Sequence, residues 1–130
     1  EEGEMATKSN TTLELVIALS YGSRSEIVNA TKRILNNVDL GVVKPREVNE
    51  ILFESYLDTA GIPNPDLLIR TSGEKRLSNF LLWQLAYTEL VFLDVLWPDF
   101  GEPDFIKALF EFTQRERRFG SINSNKIDKN

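Results

Sequence analysis

The chain is 130 residues long, enough for one domain with a core, and its 42% apolar and 10% aromatic content places it among globular chains. A net charge of −5 argues against a nucleic-acid partner, which needs a broad cationic face, yet leaves room for a small anion held by a local arginine cluster. Cysteine and histidine are absent, which excludes disulfides, thiolate or imidazole metal sites and Ser-His-Asp or Cys-His catalysis, and no apolar run reaches the length of a membrane span.

Residues 13–20, LELVIALS, are apolar apart from Glu14 and predict a strand buried on both faces of a parallel sheet. After Tyr21-Gly22-Ser23-Arg24-Ser25, the residues Ile27, Val28, Ala30, Thr31, Ile34 and Leu35 recur at helical spacing. Ser23 or Ser25 is the expected N-cap, Glu26 supports the positive end, and Asn36, Asn37 and Gly41 close the helix. Lys44-Pro45-Arg46-Glu47 opens a second helix, with Val48, Ile51, Leu52 and Ser55-Tyr56 on its inner face. Gly61-Ile62-Pro63-Asn64-Pro65 is a rigid break.

Residues 67–70 read as a second strand, about 45 residues after the first, a separation that implies a parallel crossover. Ser78 or Asn79 is expected to cap a helix over residues 80–88, and residues 90–93 form a short third strand. Residues 97–101 are a turn. Glu102-Pro103-Asp104 starts a last helix with a broad apolar face of Phe105, Ile106, Leu109, Phe110 and Phe112, running through Arg115-Glu116-Arg117-Arg118 to a stop at Gly120. Residues 121–130 are expected to be a flexible polar tail. Alternating strands and helices predict an α/β fold.

In an open α/β sheet, ligands sit beyond the carboxyl ends of the strands. Arg70 and the Tyr21–Arg24 turn both occupy such ends, and Gly73 permits a sharp turn after Thr71-Ser72. Arg70 and Arg76 offer forked, permanently charged donors matched to phosphate oxygens, and Ser78 can donate from the expected helix start. The same residues also suit a solvated turn, with Arg70 paired to Glu74 and Ser78 an ordinary cap. Glu89 follows Ser78 by a helix length of about 16 Å, so sharing their ligand would need a bend, a second subunit or a metal between them. The arginines from Arg115 to Arg118 fit a solvated helix end or a reach towards a neighbouring subunit's anion. Phe80, Leu82 and Trp83 suit a core, a lipid-chain tunnel or a dimer face.

These stretches together resemble the signature of the cis-prenyltransferases, the family of undecaprenyl and dehydrodolichyl diphosphate synthases. The resemblance lies in Ile69-Arg70-Thr71-Ser72-Gly73-Glu74, Arg76-Leu77-Ser78-Asn79-Phe80-Leu81-Leu82-Trp83-Gln84 and Tyr87-Thr88-Glu89. Trp97-Pro98-Asp99-Phe100 and Arg117-Arg118-Phe119-Gly120 also match, and Tyr21-Gly22-Ser23-Arg24 resembles the family's Tyr-Gly-Gly-Arg turn with Ser23 in place of the second glycine. The resemblance implies a parallel-sheet sandwich flanked by helices and an enzyme of isoprenoid biosynthesis. Its reaction is the condensation of isopentenyl diphosphate with an allylic diphosphate to make a cis double bond.

The resemblance further implies that Arg70, Arg76 and Ser78 hold the homoallylic diphosphate, with Gly73, Glu74 and Asn79 supporting the loop. It implies that Glu89 helps place Mg²⁺, and that Arg118 and Gly120 reach the active site across a homodimer or heterodimer interface. The family's N-terminal Asp-Gly-Asn-Gly-Arg-like segment is absent, so residues 1–120 are expected to be the C-terminal half of the domain, inactive without the N-terminal half. A noncatalytic partner subunit is the alternative, although such partners usually lose the substrate-binding arginines. Product length, allylic substrate and compartment stay open, whether cytoplasm, an organelle such as a plastid, or a membrane surface.

Overall fold

The computed structural model describes residues 2–115. In chain order they form α1 (Glu2–Thr7), α2 (Ser23–Asp39), α3 (Glu50–Glu54), β1 (Leu67–Arg70), β2 (Glu89–Phe92) and α4 (Glu102–Thr113), with 3-10 turns at Pro45–Glu47 and Trp97–Asp99. β1 and β2 pair in parallel, Leu67 opposite Glu89 and Arg70 opposite Phe92. The α/β class read from the sequence holds.

Side chains alternate along a strand, so Leu67, Ile69, Glu89 and Val91 share one face of the sheet while Arg70 lies on the other. The first face holds the described core. Val91 is fully buried with Leu93 and Ala108 of α4, and Leu67, Ile69, Val95 and Phe100 pack around them. The helix that covers this face starts where expected. The Gly101 amide donates to Asp104 Oδ2 at 3.1 Å, and Pro103 sits in the first turn, where its missing N–H costs no bond.

In α2 the buried residues Glu26, Ala30 and Ile34 fall four apart and so line one stripe, which turns towards α3. The helix ends in a Schellman motif. The Gly41 amide donates to Val38 O at 2.9 Å and the Val42 amide to Asn37 O at 2.9 Å, with Gly41 at φ 72°.

Three expectations are corrected. Residues 13–20 are not a strand; they have no ladder partner among the described residues, and Leu13 and Leu19 are 82% and 83% exposed. The composition of a doubly buried strand cannot produce one without neighbours to take its backbone groups. The second helix is split. Val48 is extended, and the Asn49 side chain accepts from the Leu52 amide at 2.9 Å, so α3 starts afresh at its own cap. Residues 80–88 form successive turns instead of a helix capped by Ser78 or Asn79, because Ser78, Asn79 and Leu81 all have left-handed backbones, φ 49°, 65° and 44°. The expected tail at 121–130 lies outside the described residues.

At Gly41 a replacement isolates backbone strain, since a Cβ would meet nothing within 4 Å. Gly41→Ala is expected to lower stability by about 1–2 kcal/mol in urea denaturation, the cost of a left-handed L-residue. No change would mean that the motif does not hold the end of α2.

Candidate functional site

Beyond Arg70 the chain turns back on the exit of β2. The Leu93 amide donates to Arg70 O at 2.8 Å, the Gly73 amide to Leu93 O at 2.9 Å and the Ser72 amide to Val95 O at 2.8 Å. The sharp turn expected from Gly73 is present, with φ 69° at Ser72 and 66° at Gly73, and a Cβ on Gly73 would come within 3.2 Å of Asp94 Oδ1. On this pinned loop, Arg70 Nη1 donates to the Arg76 carbonyl and, at 3.0 Å, to Ser78 Oγ. Neither partner is a carboxylate. Glu74 pairs instead with Arg76, so the Arg70–Glu74 pair of a plain solvated turn does not form. Arg70 thus meets Ser78 Oγ and the backbone of Arg76, whose side chain turns to Glu74 and is 64% exposed.

The Tyr21–Arg24 turn closes on the same loop from the other side. The Ser23 amide donates to Asn79 O at 2.9 Å, the Arg24 amide to Asn79 Oδ1 at 2.9 Å and the Leu82 amide to Ser23 Oγ at 2.9 Å. Ser23 is therefore not the helix cap that its position suggested; Gly22 is the N-cap and Ser23 opens α2. The Tyr21 ring meets Phe80 edge-on, with centroids 5.7 Å apart, while Trp83 packs on Phe53 and donates to Glu54 Oε1 at 3.1 Å.

Beneath the turn lies a buried carboxylate. Glu26, 2% exposed, accepts from the Tyr21 hydroxyl, from the Asp58 amide at 2.9 Å and from Gln84 Nε2 at 3.3 Å on both oxygens. Every neighbour is a donor, which is what an acceptor-only group requires away from water. Gln84 also donates to Thr59 Oγ1 at 2.8 Å, and its Oε1 is left without a partner. Flipping that amide would aim its oxygen at the carboxylate, so Glu26 fixes its orientation. Burial, and then the hydrogen bond to Glu26, pushes the Tyr21 phenol up to about 12.

Glu89 stands apart from the arginine loop. It opens β2 level with Leu67, so it lies about 10 Å along the strands from Arg70 and on the opposite face. There Arg115, at the end of α4, donates from Nη1 to Glu89 Oε2 at 2.9 Å and to Leu90 O at 2.9 Å, and from Nη2 to Glu111. The bonds to Glu89 and then Glu111 raise the Arg115 pKa above its ordinary value. No group of three or more acidic residues gathers among the described residues. One carboxylate is nonetheless a donor set suited to Mg²⁺, which takes much of its shell from phosphate and water. Arg118 and Gly120 lie outside the described residues. A cleft of about 300 Å³ between α3 and Asn64, lined by Ile51, Glu54, Thr59 and Ile62, includes none of the loop residues.

Sequence reasoning missed the depth of Glu26, although its spacing from Ala30 and Ile34 placed it on the buried stripe. It also missed the contact of Asn79 with α2 and the pairing of Glu89 with Arg115, for which no local pattern exists.

The Tyr21 shift has a calculable sign. A phenol whose pKa is raised on folding, from its ordinary value near 10 to about 12, contributes stability that is whole below pH 10 and is lost as pH rises to about 12. Tyr21→Phe should flatten the urea midpoint against pH across that window, and an unchanged slope would contradict the placement of the phenol on Glu26.

Residues 1–120 match the family model described as "Putative undecaprenyl diphosphate synthase". An isoprenyl transferase of Geobacillus kaustophilus is 54% identical over 124 residues, covering 95% of this chain and 48% of that protein. A ditrans,polycis-undecaprenyl-diphosphate synthase ((2E,6E)-farnesyl-diphosphate specific) of Legionella pneumophila is 50% identical over 124 residues, covering 95% and 52%. The crystal structure of lavandulyl diphosphate synthase from Lavandula x intermedia in complex with dimethylallyl diphosphate superposes with a TM-score of 0.87 at 43% identity, covering 92% of this chain and 52% of that one. The chain spans about half the length of the curated relatives it matches. With a family match over nearly its whole length and relatives of this similarity, the chain belongs to the cis-prenyltransferase family, that of undecaprenyl diphosphate synthase.

Proposed function

We propose that the chain supplies the homoallylic diphosphate site of a cis-prenyltransferase, which condenses isopentenyl diphosphate with an allylic diphosphate. The observation that carries this reading is the loop after β1. There a guanidinium with no carboxylate partner among the described residues, Arg70, is held on Ser78 Oγ beside the exposed Arg76. Guanidinium forks and a hydroxyl on a stitched backbone match the oxygens of a diphosphate and need little reorganisation to receive it.

Glu74 has a defined part in this reading. It holds Arg76 by an exposed ion pair, an interaction worth about 0–1 kcal/mol, so an incoming diphosphate displaces it at small cost. Glu89 is the residue that would hold Mg²⁺, whose positive charge would offset that of the diphosphates when bound. Because Arg115 already engages one oxygen of Glu89, a cation there shares or replaces an existing pair. The distance from Arg70 fits a site completed by another part of the assembly, either the N-terminal half of the enzyme or a second subunit. Arg118 and Gly120 are assigned to that shared boundary.

In the complete enzyme Arg76→Ala should raise the apparent KM for isopentenyl diphosphate about tenfold or more, as expected for a lost charged hydrogen-bond pair. An unchanged KM would favour a noncatalytic partner subunit. Glu74→Gln should tighten binding of the same substrate by up to about fivefold, since it removes only a competitor for Arg76. Weaker binding would place Glu74 among the direct supports of the ligand. The 130-residue chain by itself should show no condensation with Mg²⁺ present, and measurable turnover would overturn the view that it is half of a catalytic unit.

A further inference from the structure

We infer that Asn79 is a positioning residue of the arginine loop: by filling the N-terminus of α2 it holds Ser78 against Arg70. The inference rests on the diphosphate reading of that loop.

The first amides of a helix have no partner within it, and a Ser, Thr, Asp or Asn at the N-cap usually takes one of them. Here the N-cap is Gly22, which has no side chain to offer. Asn79 does the work from 55 residues away, giving its backbone oxygen to the Ser23 amide and its side-chain oxygen to the Arg24 amide. Gly22 leaves the room for it, since a Cβ at that position would come within 2.9 Å of Asn79 Nδ2.

The arrangement carries a backbone cost. Asn79 lies at φ 65° and Ser78 at 49°, and the left-handed region is tolerable for asparagine but unfavourable for serine. Such conformations persist only where the surroundings over-determine them. The two bonds from α2, together with the Leu82 amide on Ser23 Oγ, form that surrounding. Ser78 is the neighbour of the anchored residue, and its Oγ is the one that accepts from Arg70. Releasing Asn79 therefore lets Ser78 relax and takes its hydroxyl from the guanidinium.

The test is isothermal titration of inorganic pyrophosphate into the 130-residue chain, with amide hydrogen exchange at Arg24 as a second readout. Arg70→Ala should abolish binding. Asn79→Gly accepts the positive φ but has no side-chain acceptor; it should weaken binding about fivefold or more and speed exchange at Arg24. Asn79→Asp keeps the acceptor and should bind more tightly than Asn79→Gly, with Arg24 protected. Asn49→Gly removes the cap of α3 and should lower the thermal midpoint while leaving pyrophosphate affinity unchanged.

If Asn79→Gly binds like the wild type while Arg70→Ala does not, the diphosphate reading stands and the inference falls. It falls equally if Asn79→Asp is no better than Asn79→Gly, or if Asn49→Gly weakens binding as much. A wild-type chain that does not bind pyrophosphate removes the diphosphate reading and the inference with it.

Discussion

The parallel register of β1 with β2 is the constraint on which the arrangement of charge depends. Placing Leu67 beside Glu89 and Arg70 beside Phe92 gives the sheet one end and face for the arginine loop, and the opposite end and face for the carboxylate. α4 covers the face that carries Val91, and its end brings Arg115 to Glu89. A register shift of a single residue would turn Val91 from the core towards Arg70's side and undo both arrangements. The electrostatics of the chain thus follow from its packing.

A second constraint joins distant segments of the chain. The stretch between β1 and β2 makes a parallel crossover without a regular helix, so its backbone groups must find partners elsewhere. Its Asn79 carbonyl and Leu82 amide find them in the Tyr21–Arg24 turn, while the Gln84 side chain ties the stretch to Glu26 of α2 and to Thr59 after α3. The Glu26 carboxylate is costly to bury, and its donors offset that cost only while the crossover, the turn and the Asp58 amide are all in place. Such an element favours one arrangement of the loop over its neighbours, which is what a site that must present fixed donors to a ligand requires.

Much of this was legible in the residues. β1, β2, α2 and α4 follow from short apolar runs, the spacing of Ala30 and Ile34, and the Glu-Pro-Asp start of α4. The arginine loop was legible too, because Arg70, Gly73, Arg76 and Ser78 are close in sequence and their chemistry converges on one kind of ligand. What was not legible depends on contacts across the chain. Residues 80–88 are apolar enough for a helix, yet the bonds from α2 hold Asn79 where a helix cannot start. Residues 13–20 have the composition of a central strand and no neighbouring strand among the described residues. Composition reports the environment a segment suits, whereas the fold depends on whether that environment is present.

The central claim is that the loop after β1 receives a diphosphate. Arginine side-chain NMR of the chain titrated with isopentenyl diphosphate tests it most directly, because each guanidinium reports separately. The account predicts the largest shifts at Arg70 and Arg76, a shift of the Ser78 amide, and little change at Arg33, which is bound to Tyr56 O and Asp58 further along α2. Equal shifts at all arginines, or the largest at Arg33, would contradict it.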